Sequence, residues 1–271
     1  MVWFDCDPIG SFVGGSLSQP PVASSDEAGP FVVLPNTAVG AAVVDARFAS
    51  LVLPAFPRWW QKSLKAPSII DIGGLPHLVG VEDSNLVARR TDTGLKSGEV
   101  LMLSGWIWGS PIPLTVAGQT DPIVGVDWRV DGMQIAQTAV DFSSSSVLWV
   151  GAPIAFGGYF GSSAGDLDGD GNAEWFSLSS TLNRRDAATG AVQGVGSFPM
   201  LGYALPLLAP FTGPTNELLL QSGGQGAKLL ADDYSVTWES NSPEAVNGKA
   251  GTRVSCAGGA SFITPAVQSA F

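Results

Sequence analysis

One sequence unit recurs along the chain and limits the folds open to it. The unit consists of a short strand, a polar step, a second short strand, an Asp and a tight turn. Its clearest copy spans residues 166–190 and a second copy spans residues 75–94, and both carry an Arg-Arg pair and end on Thr-Gly. Self-similarity at a fixed spacing is the signature of a repeat architecture, in which each unit buries its faces against its neighbours.

Weaker copies keep the same spacing. The residue that opens the first strand and the Asp that closes the second both advance by about 43 to 51 residues, the length of a four-stranded propeller blade. The opening residues are Pro30, Pro76, Pro122, Ala173, Asn216 and Pro265, and the closing residues are Asp45, Asp92, Asp141, Asp186 and Asp233. Short runs rich in Val, Leu and aromatic residues accompany them, for example at 31–34 and 217–220, whereas no stretch shows convincing helical periodicity. The sequence therefore predicts an all-β chain of propeller blades.

The sixth closing Asp is found only when the chain is read as a circle. Residues 263–271 continue naturally into residues 1–5, which supply Asp5, and a turn at 7–10 follows. Pairing the two terminal segments in one sheet leaves only short strand edges. We therefore predict a single domain over residues 1–271, a β-propeller of six four-stranded blades with one blade split between the N- and C-termini. A β-sandwich or a β-solenoid with accidental periodicity is the alternative.

The charge of the chain argues against several classes of partner. A formal net charge of −11 disfavours nucleic acid, which requires a basic surface, and also disfavours docking on anionic lipid. Direct membrane insertion is not expected, because the most apolar stretches, around 39–56 and 201–211, are short of the required 20 or so residues or broken by Pro and charge. The N-terminus lacks the basic start and apolar run of a signal peptide, so we expect either a cytoplasmic protein or a processed or excised piece of a longer one.

The loop at 166–174 carries the strongest chemical pattern. Its acidic residues stand at positions 1, 3, 5 and 9, and they are Asp166, Asp168, Asp170 and Glu174. Intervening glycines permit the sharp turns that bring alternate carboxylates to one point. Oxygen-only ligands in flexible geometry favour calcium over magnesium, and the carbonyl of Asn172 is predicted as a further ligand. An acidic turn without an ion is the alternative interpretation.

Together with its flank, this loop resembles a known repeat. Residues 159–174, which begin Tyr-Phe-Gly-Ser, resemble the FG-GAP (VCBS-type) repeat of calcium-binding propellers such as integrin α-chains, a group related to propeller lectins. The resemblance implies one structural calcium ion bound by Asp166, Asp168, Asp170, Asn172 and Glu174. The corresponding turns of the other units, beginning at Asp71, Thr120 and Gly213, lack the stacked carboxylates, so we expect a single site. Integrin-like chains usually have seven blades, and the predicted six depart from that number.

Catalytic constellations are scarce in the sequence. His77 is the only histidine and has no cysteine near it, which favours a hydrogen-bonded strand histidine over a zinc ligand or a member of a triad. Residues 161–165 match G-x-S-x-G, but a nucleophile elbow needs a following helix, and an acidic loop follows here. We therefore expect a protein that is not an enzyme. A propeller enzyme acting on polysaccharide stays open, because the spacing of paired carboxylates is spatial rather than sequential.

The tryptophans divide into two groups. Trp149 and Trp238 end outer strands of the unit, where packing between blades accounts for them. Trp106, Trp108 and Trp128 lie near turns and fit the repeat less well, so we take them as candidate ligand-binding residues, with core packing as the alternative. Exposed Trp beside polar loops suits sugar stacking or a protein hot spot.

The two cysteines, Cys6 and Cys256, both fall in the predicted split blade. They are expected two strands apart, about 9–10 Å. A disulfide requires Cα atoms within about 7 Å, so the spacing disfavours a disulfide between them.

The resemblance also implies a function. It predicts adhesion or recognition of a glycan or protein by loops at one rim of the ring, at an extracellular or cell-surface location. A structural subunit of a larger extracellular assembly and a cytoplasmic location are the alternatives.

Overall fold

The computed structural model describes the strands and the tight turns between them. The described residues are 22–36, 40–45, 57–61, 63–101, 106–107, 110–131, 134–155, 161–178, 181–196, 206–209, 216–222, 226–240, 252–256 and 259–263. Every regular element among them is a strand, and the all-β prediction is confirmed. Within these ranges there is no helix of the length and apolar character that a membrane crossing requires.

The strands form successive antiparallel sheets, which we number I to V. Sheet I contains β1 (Val22–Asp26), β2 (Gly29–Asn36), β3 (Gly40–Asp45) and β4 (Pro57–Gln61). Sheet II contains β5 (Lys65–Ile72), β6 (Leu75–Glu82), β7 (Asn85–Arg90) and β8 (Lys96–Leu101). In both sheets, strands that are neighbours in the chain are neighbours in the sheet.

Sheet III has two additional short strands. Its main path follows β10 (Ile112–Leu114), β11 (Ile123–Asp131), β12 (Gln134–Asp141) and β13 (Ser146–Val150). The short strand β9 (Trp106–Ile107) pairs with β11, and the short strand β14 (Ile154–Ala155) pairs with β12.

Sheets IV and V return to four strands. Sheet IV contains β15 (Gly161–Gly165), β16 (Glu174–Leu178), β17 (Leu182–Asp186) and β18 (Val192–Gly196). Sheet V contains β19 (Leu207–Ala209), β20 (Glu217–Ser222), β21 (Gly226–Leu230) and β22 (Val236–Ser240). The last described strands, β23 (Thr252–Cys256) and β24 (Gly259–Ile263), form a hairpin.

The sequence unit corresponds to the second and third strands of each sheet. In sheets I to V the predicted opening residue lies within one residue of the start of the second strand, and the closing Asp ends the third strand or lies in the turn after it. In the last hairpin, β24 begins at Gly259, earlier than the predicted Pro265. Pro265, Asp5 and the rest of the predicted terminal strands at 1–5 and 265–271 lie outside the described residues.

The buried side chains lie between the sheets. Four clusters of core residues each join two consecutive sheets: I with II, II with III, III with IV, and IV with V. The cluster between sheets III and IV centres on Trp175, which is fully buried together with Leu114. The first strands meet one another in turn, since β5 contacts β10, β10 contacts β15, and β15 contacts β19. Each sheet is therefore covered by its neighbours rather than by its own strands.

Two of these interfaces contain the same kind of hydrogen bond, from a fourth-strand tryptophan to a backbone carbonyl of the next sheet. Trp59 of β4 donates its indole N–H to the carbonyl of Thr91 in sheet II at 2.7 Å, and Trp149 of β13 donates to the carbonyl of Ala187 in sheet IV at 2.9 Å. Each carbonyl lies three residues before a glycine with positive φ, Gly94 (+72°) or Gly190 (+73°). A Cβ on Gly190 would lie 2.5 Å from the indole of Trp149. The prediction that Trp149 packs between repeat units is confirmed.

At the interfaces of sheet II with III and of sheet IV with V, the aromatic residue comes from the next sheet and the glycine from the fourth strand. In β8 and β18 the position taken elsewhere by Trp is a glycine, which pairs with the last third-strand residue before a register shift. An aromatic residue of the next sheet covers it: Phe142 covers Gly98, and Tyr234 covers Gly194. At this position the fourth strands of sheets I and III carry a Trp and those of sheets II and IV carry a Gly. We call these strands, and the sheets that contain them, the Trp type and the Gly type, and the two types alternate along the chain.

Substituting Gly190 by Ala tests the tryptophan contact. Gly118 is the matched control, because its φ of +80° gives the same backbone strain while no atom lies within 4 Å of a Cβ built there. We expect Gly118→Ala to cost about 1 kcal/mol of unfolding free energy, from left-handed strain alone. Gly190→Ala should cost about 2–4 kcal/mol, because the clash with Trp149 adds to that strain. Denaturant unfolding measures both; equal losses would show that the contact is loose.

Candidate functional site

The acidic loop connects β15 to β16 and curls around Asp166. The N–H of Gly169 donates to Oδ1 of Asp166 at 2.7 Å, and the N–H of Gly171 donates to Oδ2 at 3.0 Å. Both glycines have positive φ, +82° and +88°, a conformation that favours residues without a Cβ. The glycine spacing seen in the sequence is thus what lets the loop fold back on its first carboxylate.

Three of the predicted ligands come together in this loop. One carboxylate oxygen each from Asp166, Asp168 and Glu174 lies within 4.8 Å of the others. Glu174 is only 1% exposed, and its Oε2 accepts the N–H of Leu167 at 2.7 Å. Burial raises the pKa of Glu174 despite this hydrogen bond and a nearby arginine. A buried carboxylate among others is the kind of site that a cation stabilises.

Asp170 and Asn172 have other partners in the described geometry. Oδ1 of Asp170 accepts the backbone N–H of Asn172 at 2.7 Å, a bond that lowers the pKa of Asp170. The side-chain amide of Asn172 donates to Oδ2 of Asp170 at 3.2 Å. These two predicted ligands therefore brace the turn and are not among the three clustered carboxylates.

Arg184 supplies a positive charge to the cluster. Its Nη2 lies 2.5 Å from Oδ2 of Asp168 and 3.3 Å from Oε1 of Glu174. Burial opposes the charge of Arg184, but the neighbouring carboxylates outweigh it and raise its pKa. The Arg-Arg step was visible in the sequence as part of the repeat, yet nothing in the repeat indicated that Arg184 faces the acidic loop.

The loop is also fastened to both neighbouring sheets. On the side of sheet III, Ala117 donates its N–H to Oδ1 of Asn172 at 3.0 Å, and Thr115 accepts the N–H of Ala173 at 2.8 Å. On the side of sheet V, the side-chain amide of Asn216 donates to the carbonyl of Asp166. None of these contacts was predicted, because their partners lie about 50 residues apart in the sequence, one unit along the repeat.

An open depression of about 360 Å³ lies beside this loop. Its lining comes from the first strands of sheets I, II and III and from the β10–β11 loop, and includes Ser24, Asp71, Thr115, Gln119 and Asp121. The Asp121 carboxylate accepts the N–H of Gly73 at 2.7 Å, which ties the β10–β11 loop to sheet II. Thr115 thus belongs both to the wall of the depression and to the support of the acidic loop.

Of the three candidate ligand-binding tryptophans, the structure describes the side chain of Trp128. Trp128 is 5% exposed and packs in the core between sheets II and III, so its assignment as an exposed stacking residue is wrong. It shares one face of β11 with Val124 and Val126, and that face is buried against sheet II. Trp106 lies in β9, where its backbone pairs with Arg129; Trp108 lies outside the described residues.

The remaining sequence candidates have structural roles or lie outside the described residues. His77 is 4% exposed and donates its Nδ1–H to the carbonyl of Leu75 at 2.7 Å, so the prediction of a hydrogen-bonded strand histidine is confirmed. The G-x-S-x-G match is strand β15, and the next element is strand β16 rather than a helix. Cys256 ends β23, whereas Cys6 lies outside the described residues.

Comparison with known proteins bears on the fold alone. No protein-family model and no curated protein matches the chain. Among solved structures, BBS1N in complex with ARL6DN, soaked with lead, matches at a TM-score of 0.58 and 12% identity over 96% of this chain and 80% of that one. The mercury-soaked form of the same complex gives 0.59 and 12%, over 93% and 74%. BamB from Moraxella catarrhalis gives 0.42 and 14%, over 83% and 74%.

The BBS1 N-terminal domain is a β-propeller. This chain has the same fold. Sheets I to V are accordingly its blades, their first strands line the centre of the propeller, and the acidic loop and the depression lie at the turns between first and second strands. These turns occupy one rim.

Proposed function

We propose that the protein is a non-catalytic propeller that recognises another protein at the rim formed by the turns between first and second strands. In this proposal a single structural calcium ion in blade IV keeps that rim in shape. The observation that carries it is the position of the β10–β11 loop, which walls the depression and at the same time supports the acidic loop.

The donor set of the acidic loop supports calcium. Asp166, Asp168 and Glu174 offer carboxylate oxygens that already lie within 4.8 Å of one another, and oxygen is the ligand that calcium prefers. The buried Glu174 carboxylate has most to gain from a cation, since its charge is held away from water. Asp170 and the carbonyl of Asn172 are the further ligands in this proposal, the former after exchanging its hydrogen bonds to Asn172.

The rim also supports recognition. Hydrogen bonds run from blade to blade along it, from Gly73 to Asp121, from Ala117 to Asn172, and from Asn216 to the carbonyl of Asp166. A rim braced in this way is a rigid platform, and rigid platforms lose little entropy on binding. Asp71 is exposed at the depression, and the chain carries a net charge of −11, so the partner that fits best presents a basic or hydroxyl-rich segment. The similar BBS1N propeller is itself in complex with a protein, ARL6DN.

We propose that the ring contains six blades. Blade V ends with a strand of the Trp type, as blades I and III do, so the alternation calls for one further blade of the Gly type before blade I. The hairpin β23–β24 supplies the first two strands of that blade, and the N-terminal segment supplies the rest. We place this propeller outside the cell or on its surface, as the resemblance to FG-GAP proteins implies.

A charge reversal tests the recognition surface. Asp71→Lys is expected to lower capture of a basic protein partner about tenfold, because like charges then face each other at the depression. Asp83→Lys is the control: Asp83 is also exposed but lies in the β6–β7 turn at the opposite end of blade II. Quantitative pull-down with the purified full chain and both variants measures the effect.

Other outcomes would change the proposal. Equal capture by both variants would remove the depression from the binding surface. Binding on a glycan array that Asp71→Lys abolishes would replace the protein partner by a glycan. Turnover of a polysaccharide by the purified chain would overturn the non-catalytic function.

A further inference from the structure

Arg184 lies on the face of β17 that blade V covers. It pairs with Phe176 of β16 on one side and with Gly194 of β18 on the other, and Phe176 is fully buried against blade V. Glu174 shares this face two residues before Phe176, which makes it a diagonal neighbour of Arg184 across the strand pair. The pairing of the sheet therefore sets an arginine beside the acidic loop.

The guanidinium of Arg184 uses one nitrogen on the carboxylates. Nη2 lies 2.5 Å from Oδ2 of Asp168 and 3.3 Å from Oε1 of Glu174, so it takes up oxygens of two of the three clustered carboxylates. Calcium binds roughly six to eight oxygen ligands at about 2.3–2.6 Å. An ion in the cluster and Nη2 in its described position would compete for the same lone pairs and would repel each other.

A second set of acceptors surrounds the rest of the guanidinium. Nε donates to Oε1 of Gln193 at 3.1 Å, and Nη1 donates to the carbonyl of Asp232 at 3.4 Å. The hydroxyl of Tyr234 lies 3.0 Å from a Cβ built on Gly194, the residue that pairs with Arg184. These acceptors come from β18 and from the β21–β22 turn of blade V, and none of them belongs to the acidic loop.

Tyr234 has hydrogen-bonding capacity that the described contacts do not use. Its hydroxyl oxygen is buried, and no hydrogen-bond partner for it is found among the described residues. A buried hydroxyl without a partner is unfavourable, and a guanidinium N–H would satisfy it. Burial raises the pKa of Tyr234, and the nearby positive charge of Arg184 opposes that shift. The phenol is therefore within electrostatic reach of the guanidinium.

We propose that Arg184 sets the calcium affinity of the acidic loop: its guanidinium binds Asp168 and Glu174 when the ion is absent and moves to the hydroxyl of Tyr234 when the ion binds. The inference rests on the proposed calcium site and names the group that competes for it. Without the ion, Arg184 offsets one of the three negative charges of the cluster. With the ion, Arg184 joins the interface between blades IV and V.

Calorimetric titration of the calcium-free full chain with calcium tests the competition. Arg184→Gln removes the charge and keeps a polar side chain, and we expect this variant to bind calcium about tenfold more tightly than the wild type. Arg90→Gln is the control, because Arg90 forms an arginine–aspartate pair with Asp92 at 2.6 Å in blade II, away from the acidic loop. Its calcium affinity should equal that of the wild type.

The move to Tyr234 has its own test. Tyr234→Phe removes the hydroxyl alone, and it should weaken calcium binding about threefold when Arg184 is present. In the Arg184→Gln background the same change should leave the affinity unaltered, because no guanidinium is left to be received. An unchanged affinity in the wild-type background, or an equal effect in both backgrounds, would overturn the move.

The titrations separate this inference from the calcium site itself. A wild-type chain that binds calcium as tightly as Arg184→Gln would overturn the competition and leave the calcium site standing. Calcium binding by Arg184→Gln alone would support the competition, and it would remove the structural ion from the proposed function of the wild-type chain. Binding by neither chain would refute both.

Discussion

Removal of calcium is expected to lower the thermal midpoint of the protein by about 5 to 10 °C. The size follows from binding linkage: calcium at about a hundred times its dissociation constant stabilises the folded state by about 2.7 kcal/mol, and each kcal/mol moves the midpoint of a chain of this length by about 2–4 °C. The proposed site is the cluster of Asp166, Asp168 and Glu174, whose mutual repulsion a bound calcium ion would relieve.

The measurement is thermal unfolding in calcium and then in a chelator. The double variant Asp166→Asn, Asp168→Asn should lose the response. Asp141→Asn should keep it, because Asp141 also caps a turn through its carboxylate but lies in blade III, away from the acidic loop. Equal midpoints with and without calcium, together with no metal in elemental analysis, would remove the calcium site.

Deletion of residues 1–8 is expected to destabilise the entire ring by at least about 4 kcal/mol. The segment contains Val2, Trp3 and Phe4, and full burial of each such side chain contributes about 1.5–3 kcal/mol. In the proposed split blade its loss also leaves β24, the second strand, without its partner in the N-terminal segment.

Denaturant unfolding of the truncated and full chains measures the loss. A full-length control with residues 1–8 replaced by a Gly-Ser sequence separates side-chain packing from chain length, and we expect it to fall as far as the truncated chain. A midpoint that moves by less than experimental error would show that the termini belong to separate elements.

The repeat made the blades predictable. A strand pair in every unit, closed by an Asp, located the second strands to within one residue in blades I to V. The recurrence of the unit carries this information, while period-two alternation within a strand indicates which residues share one of its two buried faces. The same alternation could have placed Trp128 in the core. Trp128 follows Val124 and Val126 at every second position, so a predicted strand that extended past Val126 would have put Trp128 on their buried face.

The supports of the acidic loop were not predictable in the same way. Alternation indicates that a face is buried but not which residue of the next blade meets it. Arg184, Asn216 and Ala117 act across blade boundaries, and their partners are set by the packing of one blade on the next. Spacing located the clustered carboxylates because the loop is local, with all the predicted ligands within nine residues.

The alternation of Trp-type and Gly-type blades restricts how such a ring can grow. A duplicated single blade would place two blades of one type side by side. An indole would then meet an aromatic turn residue such as Phe142 or Tyr234, or a fourth-strand glycine would face a turn glycine and leave an unfilled gap. Only a pair of blades, about 90 residues long, carries both halves of the pattern and can be copied or excised without a mismatch. If the ring has the six blades proposed, the two-blade pair is the unit that can be copied, and a redesigned ring of four or eight blades is expected to assemble where one of five or seven would not.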